Sequence, residues 1–161
     1  MKIFLDLDGV FADLDSLIKE ICGDVPRFSN DIWPVLAKEW RPFWRLEVMP
    51  DSHRLVTMLQ HHSLEFLTAC PESRPGQGHG LVTAADDKRA WVSHNRSRTI
   101  PVNTIVGGKN KPVYLQKHPG AVLIDDYDRN INLWIAAGGV GILHTSVDDT
   151  LDQLDRIGLL E

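Results

Sequence analysis

Short apolar segments that each stop at a polar residue constrain the fold of this chain more than any other feature. Three of them occupy residues 2–6, 64–68 and 121–125. An apolar run of this length is typical of a strand buried on both faces of a sheet. Residues 103–107 and 140–143 predict two further strands, and helical patterns lie between these segments. Because strands and helices alternate, the sequence predicts an α/β fold with a parallel sheet.

Helix starts are predicted from capping residues as well as from periodicity. The expected N-caps are Asp51, Thr83 and Ser146. Asp86 and Asp149 follow the last two by three residues, in the spacing of a capping box. The Gly-rich residues 71–80 have no packing pattern and predict a loop after the second strand.

The connection between the first strand and the helix that follows is unusually long. It covers residues 7–50, whereas a simple crossover needs far fewer. Its large aromatic residues include Trp33, Trp40, Phe43 and Trp44. We predict one domain over residues 1–161, with a small helical cap at about 14–48 inserted over the strand ends. An open alternative is that the aromatic residues form only the core of this cap.

Composition excludes several classes of function. The chain has 161 residues, of which 17 are Lys or Arg and 22 are Asp or Glu, and its formal net charge is −5. This balance argues against binding to a nucleic-acid polymer through a broad basic surface. The sequence has no apolar run of membrane-spanning length and no signal-peptide pattern, so we expect a cytoplasmic protein without a membrane partner. Cys22 and Cys70 lack metal-ligand spacing and are expected to be reduced thiols. The sequence leaves open whether the chain forms a homodimer.

Carboxylates cluster at the predicted strand ends. Asp6 and Asp8 follow the first strand, where residues two apart project to the same side and Gly9 permits a sharp turn. Asp125 and Asp126 end another strand, and the carboxyl ends of parallel strands line one crevice. Like charges this close need a cation or a shared proton. The pattern therefore predicts an oxygen-ligand site suited to Mg²⁺.

The order of these features along the chain indicates function, although each alone has an ordinary explanation as a turn or a helix start. Together they resemble the four motifs of the haloacid dehalogenase (HAD) superfamily of phosphatases. The matching residues are, in order, Asp6 with Asp8, Thr68, Lys111 before Pro112, and Asp125 with Asp126. The resemblance implies a three-layer, Rossmann-like fold with a small helical cap after the first strand.

Further stretches are similar to 5′(3′)-deoxyribonucleotidases in the same order along nearly the whole chain. They are residues 8–14, 43–50, 66–71, 88–92 and 122–126. The sequence departs from that family at three positions. Ala69 stands after Thr68 where the family commonly has a serine, and Leu14 stands where a Phe is common after the first motif. In the cap, Ile32 and Trp33 stand where the family has two aromatic residues. The resemblance implies a substrate that is a small phosphate ester, a nucleoside monophosphate, with Trp33 against its base.

The resemblance also implies a mechanism. Asp6 would be the nucleophile that forms an aspartyl-phosphate, and Asp8 the general acid and base. Mg²⁺ would be bound by Asp6, the Asp8 backbone carbonyl and one of Asp125 and Asp126, of which the resemblance favours Asp126.

The residues of the second and third motifs are the expected phosphate contacts. The Thr68 hydroxyl and the Ala69 N–H would hold phosphate oxygens, and Lys111 would balance the charge of Asp6 and the phosphate. Lys109 is a further candidate phosphate contact, and Lys117, which also precedes the fourth strand, stays open as an alternative. Two other functions stay open: a phosphatase for another small phosphomonoester such as a sugar phosphate, and a catalytically silent binding module with this fold.

Overall fold

The computed structural model of the chain describes residues 1–26, 29–72, 79–96 and 99–160. In chain order the strands are β1 (Lys2–Leu5), β2 (Ala12–Asp13), β3 (Glu47–Val48), β4 (Ser63–Cys70), β5 (Val102–Val106), β6 (Val122–Asp125) and β7 (Val140–Leu143). The α-helices are α1 (Leu14–Cys22), α2 (Ile32–Leu36), α3 (Ser52–Leu59), α4 (His79–Val82), α5 (Ala84–Asn95), α6 (Asp128–Ala136) and α7 (Val147–Arg156). Two 3-10 helices cover Pro42–Trp44 and Gly108–Gln116.

The larger sheet is parallel and has β1 at its centre. Across the described residues its strands lie in the order β5-β4-β1-β6-β7. Leu5 of β1 is opposite Phe66 of β4 on one side and Ile124 of β6 on the other. The chain therefore builds outward from β1 in both directions, and the carboxyl ends of β1 and β6 frame a crevice at this switch point. All five strands that the sequence predicts are confirmed.

Helices cover both faces of this sheet. Ile3 and Leu5 point to one face, where they join an apolar cluster with Trp91 of α5 and with residues of α3 and α7. Phe4 points to the other face and meets Trp134 of α6 edge to face, with ring centroids 5.7 Å apart. Because alternate residues of a strand point to opposite faces, a central strand with this sequence must be covered twice. The predicted three-layer α/β fold is confirmed.

Residues 14–46 separate β2 from β3 and form a largely helical insertion. The antiparallel pair of Ala12 with Val48 closes the segment where it leaves and rejoins the fold. The insertion contains α1, α2 and the first 3-10 helix, and α1 and α2 pack against α4 through their own apolar cluster. The buried residues of this cluster are Ile18, Ile32, Leu36, Ala37 and Leu81. The insertion therefore has a small apolar core that it shares with α4.

A tight loop carries the chain from β1 to β2. Gly9 has φ of 78°, a left-handed conformation that glycine adopts without steric cost. Its N–H donates to the carbonyl of Ala12 at 2.8 Å, and the Ala12 N–H donates to the carbonyl of Leu7 at 2.8 Å. These bonds hold the backbone around Asp8 in one conformation.

The predicted N-cap residues precede helices in the structure, but not all of their side chains make the capping hydrogen bond. Ser146 caps α7 as predicted, because its hydroxyl accepts from the Asp149 N–H at 3.1 Å. Asp51 precedes α3, but its carboxylate makes no capping bond. In the predicted loop at 71–80, residues 73–78 lie outside the described residues, and the last two residues begin α4.

Two smaller sequence expectations concern the cysteines and the membrane. Cys22 and Cys70 are free thiols, as predicted. Within the four described ranges, no helix has the length and apolar character that a membrane-spanning segment needs.

An ion pair between the half-buried Arg41 and a buried carboxylate connects the insertion to α5. Arg41 donates to Asp87 Oδ1 from Nε at 2.7 Å and from Nη2 at 2.6 Å, and Asp87 is fully buried. The Thr83 hydroxyl donates to the second oxygen of Asp87 at 2.8 Å. The Thr83 side chain makes no capping bond, so the predicted capping box with Asp86 is wrong: the buried carboxylate engages the hydroxyl instead.

Loss of this ion pair should destabilise the protein strongly. We expect Arg41→Ala to lower the free energy of unfolding by about 3 kcal/mol, because it leaves Asp87 as an unpaired buried charge. The matched control is Arg45→Ala in the same insertion, whose pairs with Glu20 and Glu39 are exposed and are worth less than about 1 kcal/mol. Urea unfolding of both variants measures the difference, and equal losses would contradict the structural role of Arg41.

Candidate active site

The crevice at the switch point brings together three of the four predicted carboxylates. Asp6 directly follows β1, and its N–H donates to the carbonyl of Ile124 in β6 at 2.8 Å. Asp125 is the last residue of β6, and Asp126 follows it. One carboxylate oxygen from each of Asp6, Asp125 and Asp126 lies within 4.8 Å of the other two. These oxygens are close enough to bind one divalent cation, and the all-oxygen donor set fits Mg²⁺.

Lys111 bridges two of these carboxylates. Its ammonium is fully buried and lies 2.9 Å from Asp6 Oδ1 and 2.6 Å from Asp125 Oδ2. Burial alone lowers the pKa of Lys111, but the two carboxylates outweigh burial and raise the pKa above its ordinary value. Among the described lysines, Lys111 is the one that contacts Asp6.

The two acidic residues after β6 differ in how their oxygens are used. Both oxygens of the buried Asp125 accept hydrogen bonds from the chain itself: Asn130 Nδ2 reaches them at 3.2 and 3.0 Å, and the Tyr127 N–H donates at 2.9 Å. Lys111 is the third donor and makes the fourth hydrogen bond, to Oδ2. Asp126 lies at the cavity described below and is only half-buried. The oxygens of Asp125 are thus engaged by the chain itself, and Asp126 is the one of the two residues that lines the cavity.

Asp8 is not one of the three closely spaced carboxylates, and it contacts a second buried lysine. Lys88 is 1% exposed, and its Nζ lies 2.5 Å from Asp8 Oδ2, 3.1 Å from the Thr68 hydroxyl oxygen and 2.6 Å from the Ala69 carbonyl oxygen. The other carboxylate oxygen, Asp8 Oδ1, is buried and has no hydrogen-bond partner among the described residues. Thr68, predicted to hold phosphate, is fully buried here, and its oxygen accepts from Lys88.

A cavity of about 320 Å³ opens over these groups. Its acidic floor is formed by Asp6, Asp8 and Asp126. The insertion supplies an apolar wall of Leu14, Ile18, Ile32 and Trp33. Lys109 and Arg129 are exposed cations that line it, and Ala69 lines it as well. The predicted residues Trp33, Lys109 and Ala69 therefore meet one space with the carboxylates, whereas Thr68 and Lys111 lie beneath it.

The surroundings of the Asp6 carboxyl raise its pKa. Burial, opposed by Lys111 and reinforced by Asp125 and Asp8, raises the pKa of Asp6 from 3.8 to about 7. A divalent cation at the same carboxylates would favour the ionised form. Asp6 is thus a carboxylate whose charge depends on what occupies the cavity.

The raised pKa of Asp6 predicts a pH-dependent stability in magnesium-free solution. Between about pH 4 and pH 7 the folded protein keeps a proton on Asp6 that the unfolded chain has released. The neutral Asp6 side chain is less costly to bury than the ionised one, so the proton stabilises the folded state. This stabilisation is fully present below pH 3.8 and is lost as the pH rises towards about 7. Asp6→Asn has no such proton.

The measurement is urea unfolding of the wild type and of Asp6→Asn in chelator at several pH values. We expect the stability of the wild type relative to the variant to fall across this window and to level off above it. A difference that is constant or rises with pH would contradict the shift.

Sequence reasoning did not predict Lys88, Asn130 or Arg129 as site residues. A signal existed for Lys88, because it precedes Trp91 and Val92 by three and four residues and so shares their buried helix face. A lysine in that position needs a buried partner. Asn130 and Arg129 follow the fourth motif on the first turns of α6 and gave no comparable pattern.

Comparison with solved structures identifies the class of fold. No protein-family model and no curated protein matches the sequence. The fold is similar to a hydrolase from Streptococcus pneumoniae TIGR4, at 12% identity and a TM-score of 0.55, with 96% of this chain and 97% of that chain covered. It is also similar to L-2-haloacid dehalogenase from Xanthobacter autotrophicus, at 10% identity and a TM-score of 0.53, covering 99% and 84%.

A third similar structure is a phosphatase. D,D-heptose 1,7-bisphosphate phosphatase from B. bronchiseptica, solved with magnesium and phosphate, has 18% identity and a TM-score of 0.50, with 100% of this chain and 89% of that chain covered. This chain therefore shares its Rossmann-like α/β fold with these three solved structures.

Proposed function

We propose that the chain is a magnesium-dependent phosphatase that hydrolyses phosphomonoesters through an aspartyl-phosphate on Asp6, and that its substrates are deoxyribonucleoside monophosphates. The observation that carries the proposal is the position of Asp6. It lies on the floor of a small-molecule cavity, 2.9 Å from a buried ammonium and within 4.8 Å of two further carboxylates. Phosphoryl transfer needs this combination of a nucleophile and fixed positive charge.

The metal would be bound by Asp6, Asp126 and the Asp8 backbone carbonyl. When bound, Mg²⁺ supplies positive charge that offsets the phosphate and keeps Asp6 ionised. The magnesium and phosphate reported for the heptose bisphosphate phosphatase of the same fold support this choice.

Asp6 performs the first step. One of its carboxylate oxygens attacks phosphorus as the bond from phosphorus to the ester oxygen breaks, which gives an acyl phosphate and a leaving alkoxide. Lys111 remains on Asp6 and Asp125 and offsets negative charge next to the reacting group. The leaving alkoxide needs a proton.

Asp8 is suited to move that proton. Asp8 lines the cavity, its Oδ2 is held by Lys88, and its Oδ1 is buried without a hydrogen-bond partner among the described residues. Protonated Asp8 donates to the alkoxide, and the resulting carboxylate then removes a proton from the water that attacks the phosphorus of the acyl phosphate. This second step releases phosphate and restores Asp6.

The cavity edge supplies groups for the phosphate oxygens. The Ala69 N–H and the side chains of Lys109 and Arg129 are candidates, because all three residues line the cavity. Thr68 is fully buried and contributes indirectly, because its hydroxyl accepts from Lys88.

The apolar wall supports a leaving group with a flat or apolar surface. Trp33 is the one aromatic residue of the insertion among the described residues that line this cavity, and a base can stack on such a ring. A sugar phosphate would use the same catalytic residues and gain less from this wall.

The catalytic roles predict distinct losses for two conservative substitutions. Asp6→Asn should abolish magnesium-dependent hydrolysis, because it removes the attacking oxygen at nearly constant size. Asp8→Asn should lower kcat by about 10² to 10⁴ for an alkyl phosphate. The loss should be smaller for nitrophenyl phosphate, whose leaving group needs no proton.

Steady-state kinetics with and without chelator test these roles, with circular dichroism as the control for folding. Substantial activity of Asp6→Asn, or full wild-type activity in excess chelator, would refute the mechanism. Equal losses on the two substrates would assign Asp8 another role.

The substrate class predicts a selective effect at Trp33. Because base stacking is worth roughly 1–3 kcal/mol, Trp33→Ala should raise KM for a deoxyribonucleoside monophosphate about tenfold or more and leave a sugar phosphate nearly unchanged. Trp40→Ala is the matched control, since Trp40 is 69% exposed and does not line the cavity. If Trp33→Ala loses the same factor on both substrates, the general phosphatase stands and the nucleotidase fails.

A further inference from the structure

The last part of the insertion lies along α5 through consecutive contacts. We call residues 41–46 the return arm. Its contacts with α5 are the ion pair of Arg41 with Asp87, the ring of Phe43 beside Lys88, the ring of Trp44 beside His94, and the Leu46 carbonyl bound to Trp91 Nε1. These partners span about two turns of one helix face. The return arm is therefore docked on the helix that carries Lys88.

Phe43 and Lys88 form the contact of this set that reaches the candidate active site. Both side chains are 1% exposed, and Lys88 Nζ lies 4.8 Å from the centre of the Phe43 ring. A cation this close to a ring face is attracted to it, and the attraction is strongest where water is excluded.

The remaining contacts of Lys88 define the geometry of its ammonium. An ammonium has three N–H donors, and Lys88 uses them on Asp8, the Thr68 hydroxyl and the Ala69 carbonyl. The Phe43 ring covers the ammonium from the insertion side, where a smaller side chain would leave room for water. The position of this charge thus depends on the sheet for its hydrogen bonds and on the insertion for its cover.

We propose that Phe43 is a positioning residue for the reaction: its ring holds the Lys88 ammonium against Asp8 and Thr68. This inference rests on the proposed phosphatase function, in which Asp8 transfers the proton. Phe43 acts through Lys88 and does not touch substrate, so its loss should lower kcat and leave KM nearly constant.

Phe43→Leu tests the proposal, because leucine keeps an apolar side chain and removes the ring face. We expect kcat to fall about threefold to thirtyfold, the range that a buried cation–ring contact supports. The matched control is Trp44→Leu, which removes the neighbouring ring of the same 3-10 helix that contacts His94. It should leave kcat within about twofold of wild type. Equal losses in the two variants would overturn the proposal.

A double-mutant cycle separates positioning from general packing. In a Lys88→Met background, Phe43→Leu should cost little further kcat, since the ring has no ammonium to hold. A cost as large as in the wild type would overturn the proposal. Should Lys88→Met fail to fold, phenylalanine analogues with increasing ring fluorination at position 43 replace it. They weaken the negative face of the ring at nearly constant shape, so kcat should fall stepwise with fluorination, and a constant kcat would overturn the proposal.

A readout that needs no phosphatase activity distinguishes this proposal from the proposed function. Reductive methylation of Lys88, followed by mass spectrometry, reports how firmly the ammonium is held. Phe43→Leu should raise the methylation rate at least threefold and Trp44→Leu should not. If the wild type hydrolyses no phosphomonoester but shows this difference, the positioning of Lys88 by Phe43 stands and the phosphatase proposal fails. Equal methylation rates in wild type and Phe43→Leu would overturn the positioning.

Discussion

The contact of the Lys111 ammonium with Asp6 and Asp125 is the interaction on which the candidate site depends. β1 and β6 are neighbours at the centre of the sheet, so their carboxyl ends bring two buried carboxylates together. Without an interior cation this arrangement would be strongly unfavourable. Lys111 comes from the 3-10 helix just before β6, so the residue that relieves the repulsion is positioned by the same chain segment that creates it.

Charge is distributed unevenly across the site. Asp6 and Asp125 share one lysine, Asp8 has another, and Asp126 lies at the cavity. The two lysines also separate the proposed roles: Lys111 supports the nucleophile from the 3-10 helix before β6, and Lys88 supports the proton-transfer carboxylate from α5. Because each ammonium is buried, neither can be replaced by solvent without a large cost.

Local pattern predicted the strands well and the side-chain network poorly, for physical reasons. A buried strand leaves an apolar run that is legible in the sequence, and the polar residues after it mark the edge where Asp6 and Asp125 meet. The order of the strands depends on pairing between distant segments and has no local signature. The Thr83 hydroxyl shows the same limit, since Arg41 and Asp87 form a tertiary ion pair that draws it away from capping. The sequence showed Lys88 only as a charged residue on an otherwise apolar helix face, and its partners Asp8 and Thr68 could not be predicted from it.

The pairing of Ala12 with Val48 has a consequence for how such a protein can diversify. Because the insertion leaves and returns at adjacent points, its length and composition can change without moving the sheet or its carboxylates. The return arm is less free to change, because it contacts α5, the helix that carries the buried Lys88. We therefore expect a chimera that exchanges residues 14–40 and keeps residues 41–46 to change the apolar wall of the cavity and to retain its carboxylates and lysines.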